Sequence, residues 1–349
     1  MSTKIVILGA GESGVGAALL AKQKGYNVFV SDASAIKPIY QSELEANHIP
    51  FESGTHDVER ILEADEVMKS PGIPEKSELV KQIRAKGIPV ISEIEFGYRY
   101  KGASKIIAIT GSNGKTTTTS LLYHICKVAG QDAAIVGNIG FSFARQIAQD
   151  PKALYVIEVS SFQLETVVDF HPDVVIWLNF SEDHMDRYAT LQAYKDAKLR
   201  VFENLGSDDH VVVRAGEDVG EFKASVVTFS TEVEADYTLQ DGWICEAGEK
   251  VIDLSITQLR GLHNAENAMA AYAACSFFGV KADDVNEALR GFAPPLHRCE
   301  LVRTLDGVEY INDSKATNLH ALDSALRSQS RRVVLIAGGK QKGLDYIEL

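Results

Sequence analysis

Residues Lys105–Thr110 make a short apolar run that ends in Gly111-Ser112-Asn113-Gly114-Lys115-Thr116-Thr117. The run reads as a buried strand, and the pattern over residues 114–130 reads as a helix that starts at once. A strand that feeds a helix through so short a turn predicts a parallel sheet covered by helices. The turn also carries chemistry. Gly-Lys-Thr after a strand is the core of a phosphate-binding loop: backbone N–H groups cradle phosphates, Lys115 neutralises the terminal ones, and the Thr116 hydroxyl can ligate Mg²⁺. The generic spacing is missed, since Ile109 stands where its first glycine would be. The loop reads as a shorter variant, and the rival reading is a capped helix start with no ligand.

The same rhythm runs through most of the chain. Lys4–Leu8 and residues 28–31, 66–70, 155–159 and 174–178 read as buried strands, with a helical pattern at 14–25. Gly9-Ala10-Gly11-Glu12-Ser13-Gly14 follows the first strand, and Asp32 ends the second. A GxGxxG turn with a later acid is a dinucleotide fingerprint. It specifies only a phosphate-bearing ligand at a helix N-terminus. A nicotinamide-dependent oxidoreductase, a nucleotide-sugar binder and an unliganded tight turn all satisfy it.

At 349 residues the chain has room for two or three domains. A net charge of −13 excludes a basic nucleic-acid footprint. It also means that an anionic ligand needs local help from lysine, arginine, helix N-termini or a metal ion. Cys126, Cys245, Cys275 and Cys299 lie far apart with no CxxC pair, so neither a zinc site nor a disulfide framework is expected. The start is too short for a signal-peptide core, and no apolar run is long enough to span a membrane. A cytoplasmic monomer with no nucleic-acid partner and no membrane insertion is expected.

Other clusters sit at strand ends. Glu158 closes one strand, where parallel sheets bind ligands, and beside a phosphate loop it reads as a Mg²⁺ ligand or as a helix-capping acid. Asn179-Phe180-Ser181-Glu182-Asp183-His184-Met185-Asp186 packs His184 among acids, as a metal ligand or a base. Lys198, on a helix, reads as an ordinary solvated charge. Asn264 and Asn267 share one helix face, suited either to a purine edge or to helix capping. Arg298 can clamp a phosphate, and Lys315 or Lys342 a carboxylate, or all three can be plain surface.

Punctuation suggests three units. Gly87-Ile88-Pro89 with the charged 92–95 marks one seam, and Pro294-Pro295 another, giving domains 1–93, 94–295 and 296–349. Residues 209–259 read as an antiparallel extension of the central domain. After Pro295 the pattern is strand Val308–Asn312, helix 319–328 and strand 332–337, one βαβ unit. A domain ordinarily needs about 100–150 residues. The chain is therefore expected to be truncated within its third domain, and to be impaired in activity.

Taken together, these clusters resemble the Mur ligase family, and the folylpolyglutamate synthases beside it. Gly111–Thr117 looks like that family's ATP loop. His263-Asn264 with Asn267, and Asp313-Ser314-Lys315-Ala316-Thr317-Asn318, look like its second and third signatures. Gly137-Asn138-Ile139-Gly140, Glu158–Glu165 and Asp183–Tyr188 match further blocks, and the likeness runs from Gly9 to Tyr346.

The resemblance implies an α/β three-domain architecture: a Rossmann-like N-terminal domain, a central phosphate-loop ATPase-type domain and a third Rossmann-like domain present only as its first βαβ portion. It implies an ADP-forming ligase that adds D-glutamate to UDP-N-acetylmuramoyl-L-alanine through an acyl phosphate. Ser13, Asp32, Ser34, Ser70, Pro71 and Gly72 would surround the UDP group, and Asn138, Gln163 and His184 the muramoyl-alanine arm. Gly111, Asn113, Gly114, Lys115, Thr116, Thr117, Asn264, Asn267, Arg298 and Asp313 would bind ATP. Thr116 and Glu158 would hold one Mg²⁺, and His184 with a carbamylated Lys198 a second. Lys115, His184 and Lys198 would be the catalytic residues. Lys315, Thr317, Asn318 and Lys342 would lie at the D-glutamate site. Against this, an oxidoreductase would leave Gly114-Lys115-Thr116 without purpose, and a non-catalytic nucleotide-sugar binder remains a third reading.

Overall fold

The computed structural model describes residues 2–327, 329 and 331–338. The chain forms two compact units, the first from residues 1–108, 133–173 and 196–205, the second from 109–132, 174–195 and 206 onward. In chain order the first unit opens with β1 (Lys4–Leu8), α1 (Glu12–Gln23), β2 (Asn27–Asp32), α2 (Pro38–Ala46) and β3 (Phe51–Ser53). It continues with α3 (Val58–Ile61), β4 (Glu66–Lys69), α4 (Glu78–Ala85), β5 (Val90–Ile91) and α5 (Glu93–Tyr98). β6 (Lys105–Thr110) begins in the first unit and ends in the second, where it enters α6 (Lys115–Val128). The first unit then takes β7 (Ala133–Gly137), α7 (Phe143–Gln149), β8 (Leu154–Glu158) and α8 (Ser161–Leu164). β9 (Val174–Trp177) belongs to the second unit, and α9 (Leu191–Leu199) starts there and ends in the first. The second unit holds the rest: β10 (His210–Arg214), β11 (Ser225–Ser230), β12 (Tyr237–Gln240), β13 (Trp243–Glu246), β14 (Glu249–Asp253), α10 (Leu262–Ser276), α11 (Ala282–Gly291), β15 (Glu300–Leu305), β16 (Val308–Asn312) and α12 (Leu319–Arg327).

The N-terminal sheet has the order β3-β2-β1-β4-β5, and every pairing is parallel. Ile5, Val6, Ile7 and Leu8 are completely buried. Helices cover both faces of such a sheet, so its central strand is apolar at successive positions and does not alternate. The chain order reverses between β1 and β4. Ligands of open α/β sheets sit at such a switch point, beyond the carboxyl ends of the strands. There lie the Gly9–Gly14 turn after β1 and Ser70 after β4.

The short helix α5 is pinned by two buried acids. Glu95 Oε2 accepts the backbone N–H groups of Val168, Asp169 and Phe170 at 2.8, 3.0 and 3.0 Å. Successive N–H groups converging on one oxygen make an anion nest. Glu93 Oε1 accepts the N–H of Ala144 at 2.5 Å, while its Oε2 is buried with no hydrogen-bond partner. Burial first, then the neighbouring Glu12 charge, push the Glu93 carboxyl up to about 8.

In the larger sheet β9, β10, β11 and β12 pair in parallel, and β12, β13 and β14 are antiparallel. The antiparallel extension expected over 209–259 is thus confined to its last three strands. Two-residue turns make the difference. Asp241-Gly242 (φ 50° and 79°) and Ala247-Gly248 (φ 49° and 86°) have the positive φ pair that folds tight hairpins. Asp306-Gly307 (φ 50° and 77°) does the same for β15 and β16. The expected βαβ after Pro295 is therefore corrected to a hairpin followed by α12. The strand expected at 332–337 does not form. Val334 and Ile336 are 92% and 95% exposed, and no ladder partner faces them among the described residues. A strand exists only through its ladder.

Two outcomes follow for α5. Glu95→Ala leaves three N–H groups without an acceptor and should cost roughly 3 kcal/mol in denaturant unfolding, with Glu95→Gln in between. Glu93 has a folded-state pKa raised from 4.5 to about 8. The folded state therefore holds its proton over that window, and stability falls as pH rises through it. Glu93→Gln should gain Tm relative to wild type at pH 8.5 and not at pH near 4. A difference in Tm that stays constant with pH would refute the assignment.

Candidate functional site

The second unit carries the phosphate-type loop. Gly114 has φ 84°, and a Cβ there would stand 2.5 Å from Asn267 Oδ1. Only glycine meets both conditions. Lys115 Nζ donates to the carbonyls of Gly111 and Ser112 at 2.8 and 2.9 Å, which holds the ammonium over the loop. The segment after β9 grips the same loop. Asn179 Oδ1 accepts Asn113 N–H (2.9 Å), Asn179 Nδ2 donates to Asn113 O (3.2 Å), and Asn179 O accepts Ser112 N–H (2.9 Å). Ser112 Oγ donates to Ser181 O and accepts Ser181 N–H, both at 2.9 Å.

The later signatures converge on this loop. Arg298 Nη2 donates to Thr116 Oγ1 at 3.0 Å. Asn318, 9% exposed, donates to Asn113 Oδ1 and Asp183 Oδ2 at 3.0 and 3.2 Å. Asp313 Oδ1 accepts Cys299 N–H at 3.0 Å. A cavity of about 510 Å³ is lined by Asn113, Gly114, Thr117, Asn264, Asn267, Arg298, Asp313 and Lys315 among others. Its wall holds Arg214, Arg298, Lys315 and Arg327 against Glu217, Glu232, Glu266, Asp313 and Asp323. The wall alone has no surplus of positive charge. A polyphosphate there depends on the loop N–H groups, Lys115 and a divalent cation. Thr317 is exposed, and Lys342 lies outside the described residues.

His184 has φ 57°, its N–H donates to Asp183 Oδ1 at 2.8 Å, and its imidazole Nε2 stands 3.9 Å from Asp183 Oδ2. Tyr194, edge-on to that ring at 5.8 Å, is buried, and burial pushes its hydroxyl up to about 12. It therefore stays protonated at neutral pH.

The first unit carries the other turn. A Cβ on Gly14 would stand 1.8 Å from the Gly9 carbonyl oxygen, so α1 packs onto the turn only through glycine. Asp32 Oδ2 accepts Ala10 N–H at 2.7 Å and Oδ1 accepts Ser34 N–H at 2.8 Å. Asp32 thus ties the turn to the end of β2. Ser70 Oγ reaches Gly9 O at 3.4 Å from the other side of the switch point, followed by Pro71 and the exposed Gly72. Ser13, half-buried, lies in the first turn of α1. Glu12, next to it, is drawn off by Arg145 Nε at 2.7 Å and Ser142 N at 3.1 Å. Its charge is therefore compensated before it can oppose a phosphate.

At the end of β8, Glu158 is 1% exposed. Asn138 Nδ2 donates to its Oε1 at 2.8 Å, while Oε2 is buried with no hydrogen-bond partner. A buried carboxylate oxygen with nothing to accept is the chemistry a cation fills. Gln163 closes a capping box with Ser160 at the start of α8. Lys198 is 1% exposed, in contrast to the solvated charge that its sequence suggests. Glu158 and Lys198 belong to the first unit, Thr116 and His184 to the second.

A family model described as Mur ligase middle domain matches residues 109–275, and one described as Mur ligase MurD-like, N-terminal domain, matches residues 3–92. A UDP-N-acetylmuramoylalanine–D-glutamate ligase of Porphyromonas gingivalis is 45% identical over 99% of this chain and 80% of its own length. One from Bacteroides fragilis is 44% identical with the same coverage. The chain belongs to the Mur ligase family. Solved relatives agree on the fold. The UDP-N-acetylmuramate:L-alanyl-gamma-D-glutamyl-meso-diaminopimelate ligase from Neisseria meningitides superposes with a TM-score of 0.62 at 23% identity, covering 84% of this Mur ligase and 99% of that chain. UDP-N-acetylmuramate-alanine ligase MurC from Thermotoga maritima gives 0.60 at 21%, covering 93% and 77%.

Sequence reasoning passed over three residues of this Mur ligase. Asn179 was visible only as the first letter of an acidic cluster. Thr118 looked like one more helix residue after the loop. Arg145, which is 5% exposed, carried no motif at all. Each acts through partners far along the chain. Gly114→Ala should weaken Mg-ATP binding at least about tenfold, because a left-handed alanine alone costs about 1–2 kcal/mol and its methyl group collides with Asn267. Isothermal titration reads this directly, and unchanged affinity would refute the packing argument.

Proposed function

We propose that this Mur ligase joins D-glutamate to UDP-N-acetylmuramoyl-L-alanine, converting ATP to ADP and phosphate, in peptidoglycan precursor synthesis. What carries the reading is 45% identity over nearly the whole chain to enzymes of that name. The two phosphate-type turns support it, one on a Rossmann-like sheet and one on the strand–loop–helix of the second unit. The oxidoreductase reading explains only the first turn.

The roles follow the residues. The Gly9–Gly14 turn, with Ser13, Asp32, Ser34, Ser70, Pro71 and Gly72, takes the UDP group. Asn138, Gln163 and His184 take the muramoyl-alanine arm. The Gly111–Thr117 loop takes the ATP phosphates, and Asn264, Asn267, Arg298 and Asp313 also bind ATP. Lys315, Thr317, Asn318 and Lys342 take D-glutamate. The proposed domains are 1–93, 94–295 and 296–349, in a cytoplasmic monomer. Thr116 and Glu158 would hold one Mg²⁺, and His184 with a carbamylated Lys198 a second. The open Glu158 Oε2 fits this assignment. Bound Mg²⁺ would neutralise the charge between two anionic reactants.

The chemistry needs activation, because a free carboxylate has no good leaving group. The alanine carboxylate oxygen attacks the γ-phosphorus, the bond to the β,γ-bridging oxygen breaks, and ADP leaves. Lys115 offsets the negative charge on the transferring group. The D-glutamate amine then attacks the acyl carbon, and phosphate departs through a tetrahedral intermediate. The acid beside His184, or His184 itself when it is not bound to a cation, takes the amine proton. Holding the reactants in register supplies much of the remaining acceleration.

Phosphate release should require UDP-N-acetylmuramoyl-L-alanine, D-glutamate and ATP together. Release with L-alanine or a diamino acid in place of D-glutamate would reassign the chain to a sister ligase. Saturable NAD binding with none of the nucleotide sugar would revive the oxidoreductase.

A further inference from the structure

Three buried polar side chains of the second unit form one line of hydrogen bonds. Asn264 Nδ2 donates to the Arg260 carbonyl at 2.7 Å, Asn267 Nδ2 to Asn264 Oδ1 at 3.1 Å, and Thr118 Oγ1 to Asn267 Oδ1 at 3.0 Å. Thr118 is wholly buried, and Asn264 and Asn267 are 8% and 4% exposed. The direction of the line is forced from one end. A peptide carbonyl only accepts, so Asn264 must turn its NH₂ group to Arg260. Its oxygen then faces Asn267, which must answer with its own NH₂ group. Asn267 Oδ1 is left facing α6 and needs a donor there. The Thr118 hydroxyl is that donor. Each amide nitrogen keeps one further N–H, and both asparagines line the cavity, which Thr118 does not.

We infer that Thr118 is a positioning residue for recognition of the nucleotide base. By donating to Asn267 Oδ1 it anchors the far end of the line, so that both amides stay where they offer N–H groups to a ring-nitrogen acceptor, the N7 of a purine. The inference rests on the reading that this cavity takes ATP. Valine at position 118 keeps the shape of the side chain and removes the donor. Asn267 Oδ1 would then be a buried acceptor with nothing to accept, a state costly enough to pull the amide out of the line. The displaced amide would no longer hold its remaining N–H on the base.

The test is equilibrium binding of Mg-ATP and Mg-7-deaza-ATP, which lacks the N7 acceptor, to wild type, Thr118→Val and Thr118→Ser. Wild type should prefer ATP by about tenfold, the worth of one neutral hydrogen bond. Thr118→Ser should keep the preference, and Thr118→Val should bring the two affinities to within about twofold. A merely structural role would weaken both nucleotides by the same factor and leave the ratio intact, which would overturn the inference. So would a wild type that does not distinguish the two. If the valine variant fails to fold, Thr118→Ala answers the same question. A wild type that binds no ATP at all would remove the parent reading instead.

Discussion

The phosphate loop holds its shape because a second segment grips it. Residues 111–117 include two glycines, and such a loop has many conformations to lose. Asn179 removes that freedom by meeting Asn113 with both ends of its amide and Ser112 with its carbonyl. Ser112 closes a reciprocal pair with Ser181. Arg298, Asn318 and the Asn264–Asn267 pair then build onto a fixed loop. Without that grip, the Lys115 ammonium and the N-terminus of α6 would have no common target.

Three buried glutamates show how differently one problem is solved. A carboxylate removed from water must be hydrogen-bonded, neutralised or bound to a cation. Glu95 is saturated by three backbone N–H groups. Glu93, in an environment with too few donors, keeps its proton. Glu158 has one oxygen satisfied by Asn138 and one left open. Glu93 also has an open oxygen but keeps a proton, whereas Glu158 stands at the end of a parallel strand, where such sheets bind ligands.

Much of this was legible in the sequence. Lys4–Leu8 and Lys105–Thr110 are strands as read, because apolar runs between turns leave few alternatives. The loop residues 111–117 were legible because a phosphate site is built from neighbours in sequence. What failed was pairing. Asp241-Gly242, Ala247-Gly248 and Asp306-Gly307 specify tight hairpins, and two of the three are plain Asp-Gly signals. Overlooking them turned a hairpin into an imagined βαβ unit. The apolar run at 332–337 failed for a different reason, since hydrophobicity alone supplies no ladder. Thr118, Asn179 and Arg145 were hidden because their partners lie far along the chain. Thr118 and Asn267 are 149 residues apart, and no local pattern encodes that contact.

The Glu95 nest also orders events in time. Its three N–H donors come from a segment more than 70 residues later in the chain. While the polypeptide is being synthesised, Glu95 reaches its final state only after β8 and α8 have emerged. Until then Glu95 lacks those three donors, and α5 lacks the contacts they make. The N-terminal sheet can close with its own strands much earlier, since all its pairings lie within residues 4–91. The helix that leaves this sheet is thus docked by sequence that does not yet exist when the sheet forms.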